Sequence, residues 1–141
     1  MKHIRLQLIP IQELNQNLHS HDGMHSDYFR EFVQMMLCHA WSIGFLSSDL
    51  WDAIPDIAQA ATMHDIGKTA LPETIIHKKG ALSSVEREFV KAHTILGAAM
   101  VEIALAAMRD YPRYDYALDI CRHNHERFTR LGYQDNLCVG E

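Results

Sequence analysis

Apolar residues recur along most of this chain at the three- and four-residue spacing of amphipathic helices. From about Asp22 to Gly44 they fall at Phe29, Phe32, Val33, Met36, Leu37, Ala40 and Ile43, predicting a first helix that Gly44 terminates. Ser47 and Ser48 open the next segment, and Pro55 splits it, because proline suits a first helical turn and not an interior. Ile54, Ile57, Ala58 and Ala61 form one stripe whose continuation lands on His64 and Asp65. Residues 67–80 connect, with Pro72 inside and room for a single turn. Ser83 and Glu86 have the spacing of a capping box at the head of a long helix carrying Val85, Phe89, Leu96, Met100 and Ile103 on one face, with His93 in the stripe. Tyr111-Pro112 ends it, and a last helix from about Tyr114 to Glu126 puts Leu118, Cys121 and His125 on a common side. Ile4, Leu6 and Leu8 alternate before Pro10, so residues 1–20 read as an N-terminal arm and 21–141 as one domain. The expected fold is an all-α bundle of about five helices.

Composition narrows the function. The chain has 141 residues, 48% hydrophobic and 22% charged, enough for one packed core. Its net charge of −5 and lack of a basic run exclude nucleic acid as the expected partner. No apolar window is long enough to span a membrane, and the start lacks the features of a signal peptide. Three widely spaced cysteines, Cys38, Cys121 and Cys138, read as reduced thiols in a cytoplasmic protein. Ten histidines against thirteen Lys plus Arg are the first sign of metal chemistry.

His64-Asp65 alone would read as a helix-terminal pair bonded to backbone. Burying an imidazole and a carboxylate together is costly unless a cation compensates them. His93 and His125 lie on inward stripes of separate helices, and His25 near the start of the first helix adds a fourth histidine. Such sets converge in bundle cores to hold metals, and nitrogen and oxygen ligands without thiolate suit iron, manganese, nickel or zinc. No Gly-rich phosphate loop, GxSxG or HExxH appears.

His64-Asp65-Ile66-Gly67-Lys68 resembles the core motif of HD-domain phosphohydrolases. Lys78-Lys79-Gly80-Ala81-Leu82, Glu86, His93 with Gly97, and Asn124-His125-Glu126-Arg127-Phe128 followed by Gly132-Tyr133-Gln134 are similar, in order, to the further motifs of the HD-GYP subfamily, bacterial cyclic di-GMP phosphodiesterases. The resemblance implies a metal centre, usually iron or manganese, whose hydroxide attacks the phosphodiester. It implies His25, His64, Asp65, His93 and His125 as ligands, with His64, Asp65 and Lys68 as the catalytic set. Lys68, Arg127 and Tyr133 would contact the substrate, a cyclic dinucleotide or another small phosphate ester. At the first ligand position, His21-Asp22-Gly23-Met24-His25 fits with His21 and His25, whereas counting back from Gly44 without gaps puts Tyr28 there. His25 is preferred, because tyrosine substitutes poorly for histidine.

Departures from the pattern point to a reduced site. Asn124 stands where the subfamily has a histidine, and His123 beside it is turned about 100° away on a helix. Gln134 replaces the proline, and the chain stops short of the subfamily's last aspartate and closing helices. The expectation is therefore at most one tightly held metal, anchored by His64 and Asp65, with weak or absent turnover. The alternative is an inactive HD module that binds metal, nucleotide or protein. The face those helices would cover should drive self-association or pairing with a partner protein.

Overall fold

The computed structural model describes residues 23–106, 114–127, 129, 131–135 and 137. Helix α1 spans Gly23–Ser42, and a 3-10 turn over Ser48–Ala53 leads into α2, Ile54–Ala61. A second 3-10 turn, Ile66–Ala70, precedes α3 (Glu73–Ile76), α4 (Ser84–Lys91), α5 (His93–Ala106) and α6 (Tyr114–His123). There is no strand among the described residues, and five helices have eight residues or more. This is the all-α bundle that the periodicity predicts. The N-terminal arm lies outside the described residues.

Local chemistry sets most helix ends. Gly44 adopts φ +75°. The Phe45 amide returns to the Ala40 carbonyl (2.9 Å) and the Gly44 amide to Trp41 (3.0 Å). Those two bonds close α1 in a Schellman turn. Pro55 sits in the first turn of α2, where its missing N–H costs nothing. At α4, the Glu86 amide donates to Ser83 Oγ (3.2 Å) while the Ser83 amide donates to Glu86 Oε2 (2.7 Å), completing the capping box.

Lys78 Nζ also reaches Glu86 Oε2 (2.6 Å), and together with the Ser83 bonds it depresses the Glu86 carboxyl to about 2. A depressed folded-state pKa stabilises above the unfolded value and loses that contribution as pH falls through the folded one. The melting-temperature gap between wild type and Glu86→Gln should therefore be present at pH 6. It should close as pH falls from about 4.5 toward about 2; a gap independent of pH would contradict it.

The long helix expected from Ser83 onward is instead divided at Ala92. His93 Nδ1–H donates to the Val90 carbonyl, and Thr94 Oγ1 donates to Lys91 O (3.2 Å), which also accepts from Gln134 Nε2 (3.1 Å). These side chains take up carbonyls that the helical ladder would use, and the Ala92 amide bonds back only three residues, to Phe89. The expected common stripe is broken accordingly. Val85, Phe89 and Ile103 are more than half exposed, Leu96 and Met100 are half-buried, and His93 is fully buried. The α1 stripe is also buried only in part: Phe29, Val33, Leu37 and Ala40 are half-buried on the helix that packs on α2, while Phe32, Met36 and Ile43 face outward.

The core lies where α5 and α6 meet α2 and the second 3-10 turn, and it is built from small residues around a few larger ones: Ala60, Met63, Ile66, Ala98, Val101, Ala117 and Cys121. Small side chains let the backbones approach closely. Gly67 and Gly97 meet there, with the Gly67 amide nitrogen 3.2 Å from where a Gly97 Cβ would stand. Cys121 Sγ–H donates to the Met63 carbonyl (3.1 Å), and burial, then the Asp65 charge, push this thiol up to about 12. Cys38 and Cys121 are both free thiols; Cys138 lies outside the described residues. No helix among the described residues is long and apolar enough to cross a membrane.

Candidate metal centre

His64 and Asp65 lie in the turn between α2 and the second 3-10 turn. Met63 and Ile66 on either side are driven into the core, which turns the two polar side chains toward a cleft. Gly67 then lies against the His93 backbone at the head of α5 and brings Asp65 onto His93. His125, expected on the inward side of the last helix, instead follows just beyond the end of α6 and is exposed, because the helix stops at His123.

Three of the expected ligands converge. One ligand atom each of Asp65, His93 and His125 lies within 4.8 Å of the other two. His93 Nε2 stands 3.3 Å from Asp65 Oδ1, on the side away from His64. His64 Nε2 is 3.3 Å from the other oxygen, Oδ2, and Lys68 Nζ is 2.6 Å from that same oxygen. The carboxylate is thus flanked on both sides.

Both imidazoles are oriented by backbone. Nδ1–H of His64 donates to Ala61 O (2.8 Å) and Nδ1–H of His93 to Val90 O, so each ring presents Nε2 to Asp65. The two sides then differ. Asp65 raises the His64 imidazole, and on that side Oδ2 is satisfied by the Lys68 ammonium, which donates to it. His93 Nε2 and Asp65 Oδ1 are buried and face each other, yet neither makes a hydrogen bond. A cation between them satisfies both atoms at once, and this fits the group to a divalent metal. Burial raises the Asp65 carboxyl, but His64, His93 and Lys68 gathered on its oxygens outweigh that and hold it well below the carboxylate range. Burial and the neighbouring His93 lower His125, favouring the neutral form that binds metals.

The chain after α6 folds back over this centre. Arg122 Nε (2.6 Å) and His123 Nε2 (2.9 Å) hold Asp135 Oδ2, and the Asp135 and Leu137 amides donate to the two Glu126 oxygens (2.8 and 3.1 Å). Tyr133 is thereby laid on His125, ring centroids 4.7 Å apart and nearly parallel, with Lys91 Nζ 5.7 Å from the Tyr133 ring. Burial, then the Asp65 charge, push its phenol up to about 12, so it stays protonated. Gln134 takes φ +95°, which proline cannot adopt, and its amide bonds to Lys91.

The remaining sequence candidates fall as follows. Asn124 Nδ2 donates to the His64 carbonyl (3.2 Å), leaving Oδ1 buried without a partner. His123 is committed to Asp135 and turned from the centre, as its helical position predicts. Arg127 is exposed. His21 and the His25 side chain lie outside the described residues. Tyr28, the competing residue at the first ligand position, is 65% exposed. What α1 does present to His64 is Phe29, ring centroids 5.0 Å apart. In the sequence Phe29 belongs to an ordinary apolar stripe and Asp135 lies in a tail without periodicity, and no local signal marked either; Glu126 and Gln134 stood in the recognised motifs, but nothing local showed that they would hold the returning chain.

Comparison with known proteins agrees with this geometry. A family model described as an HD domain matches residues 46–137. The chain is 29% identical over 106 residues to a cyclic di-GMP phosphodiesterase of Thermotoga maritima, covering 70% of this chain and 27% of that one. It is 38% identical over 78 residues to a cyclic di-GMP phosphodiesterase of Pseudomonas aeruginosa, covering 55% and 17%. It is 30% identical over 101 residues to the 3'3'-cGAMP-specific phosphodiesterase 2 of Vibrio cholerae, covering 72% and 17%. The chain spans about a quarter or less of the length of these relatives.

Proposed function

The chain belongs to the HD-domain family, and we propose that it holds one divalent metal on Asp65, His93 and His125 and hydrolyses a phosphodiester of the cyclic-dinucleotide class. The observation that carries this reading is the buried, unbonded pair of His93 Nε2 and Asp65 Oδ1, 3.3 Å apart. When bound, a metal such as iron or manganese supplies the Lewis-acid charge that phosphate ester hydrolysis needs. Lys68 is the phosphate contact: its ammonium shares Asp65 Oδ2 with His64, and a metal that neutralises Asp65 frees it to take a phosphate oxygen. Tyr133, stacked on His125, and the exposed Arg127 are the further substrate contacts of this reading. The ordered motifs from His64 to Gln134 support the HD-GYP subfamily, as do the activities named for the similar proteins. Phe32, Met35 and Met36, each more than half exposed on α1, support the expected self-association.

A second reading, a module that binds without turnover, is favoured by Asn124. Its amide nitrogen is spent on the His64 carbonyl, so this position offers a neutral oxygen where an imidazole would bind far better. The two readings separate in one assay. Protein loaded with manganese or iron should hydrolyse cyclic di-GMP slowly, and Asn124→His should raise both metal content and rate. Binding without hydrolysis in both proteins would favour the second reading. An ordinary enzymatic rate with two metals in the wild type would contradict the reduced site.

A further inference from the structure

Beside the metal centre is a cleft of about 390 Å³ whose lining mixes charged, polar and apolar side chains. His64, Asp65, Lys68, Asn124 and His125 line it together with Phe29, Ala61 and Ile120. The volume is near the small end of the range for small-molecule sites, roughly 300–1,000 Å³. It suits one nucleotide unit better than two. Lys68 and the metal centre fit a phosphate. The Phe29 ring and the Ile120 side chain, in the same lining, fit a flat, weakly polar group carried by the same ligand.

We infer that Phe29 is a specificity residue: its ring receives one nucleobase of the ester whose phosphate lies at Lys68 and the metal centre, so that the site selects nucleotides over simple sugar phosphates. This rests on the function proposed above. Two observations set Phe29 apart from its neighbours on α1. Its ring lies over His64, 5.0 Å away and tilted by 37°, which places it at the site and not in the central core. It is also the residue of α1, among those described, that lines the cleft, and it is half-buried, so that part of the ring is open there. Stacking on an aromatic face tolerates any base, so Phe29 would favour nucleotides as a class without distinguishing guanine from adenine.

The test compares guanosine monophosphate with ribose 5-phosphate by titration calorimetry on the manganese-loaded full chain. Phe29→Leu keeps an apolar side chain of similar bulk and removes the aromatic face, and Phe29→Trp keeps the face. Wild type and Phe29→Trp should bind guanosine monophosphate about tenfold or more tighter than ribose 5-phosphate. Phe29→Leu should shrink that ratio to about twofold, with ribose 5-phosphate binding unchanged. An undiminished ratio in a folded Phe29→Leu protein would overturn the inference, and so would equal binding of both phosphates by wild type; either outcome leaves the proposed function standing. Failure of wild type to bind either phosphate would remove the proposed function and this inference with it.

Discussion

Gly67→Ala is expected to lower the melting temperature by about 10 °C or more, because it makes the tightest clash a Cβ would meet at Gly44, Gly67, Gly80, Gly97 or Gly132. A Cβ at position 67 would stand 1.8 Å from the His93 carbonyl oxygen, 2.5 Å from the Gly97 amide nitrogen and 2.8 Å from the His93 carbonyl carbon. All three are backbone atoms, so no side chain can swing aside. The second 3-10 turn would have to lift off α5, carrying Asp65 from His93 and opening the core around Ile66 and Ala98. The cost is that of overpacking against a rigid wall, about 3 kcal/mol or more. Gly44→Ala is the comparison. There φ is +75° but nothing lies within 4 Å of the added carbon, so only the left-handed backbone penalty applies, roughly 1 kcal/mol. Thermal melts of the two variants should rank Gly67→Ala well below Gly44→Ala; the reverse order would contradict the close packing of the turn on α5.

Features set by a residue and its near neighbours were legible in the sequence. The Ser83–Glu86 capping box, the Gly44 terminator and the place of Pro55 all depend on short-range chemistry, and each is present. Part of the site was legible as well. The motif order singled out Asp65, His93 and His125, which converge, although the stripe expected to carry His93 inward is broken. Features arising between distant segments were not. The division at Ala92 comes from His93 and Thr94 capturing carbonyls of the preceding turn, with Gln134, more than forty residues on, joining at Lys91. Phe29 reads as core until α1 is seen to pass the mouth of the cleft. Apolar spacing in α1 and α4 gave the correct helix type yet overstated burial, because periodicity fixes which residues share a face and not whether another element covers it.

Asp65→Asn should have the largest effect on the site. Asp65 is the one carboxylate of the converging set, and it faces His93 on one oxygen and His64 with Lys68 on the other. Asparagine keeps the size and one neutral oxygen but removes the charge that compensates a cation. Metal affinity should fall by about 100-fold or more, beyond the loss usual for an outer-shell change. In wild type, metal at 100 times its dissociation constant stabilises the fold by about 2.7 kcal/mol. That corresponds to a rise in melting temperature of roughly 10 °C. In Asp65→Asn the rise at the same metal concentration should nearly vanish, while the fold persists, since the core residues lie elsewhere.

The metal centre itself is tested most directly by the metal content per chain of wild type and Asp65→Asn, measured by elemental analysis after reconstitution with manganese or iron and removal of the excess. Wild type should retain one equivalent and Asp65→Asn almost none. A wild-type chain that retains no metal, or an Asp65→Asn chain that retains as much as wild type, would contradict a centre built on Asp65, His93 and His125.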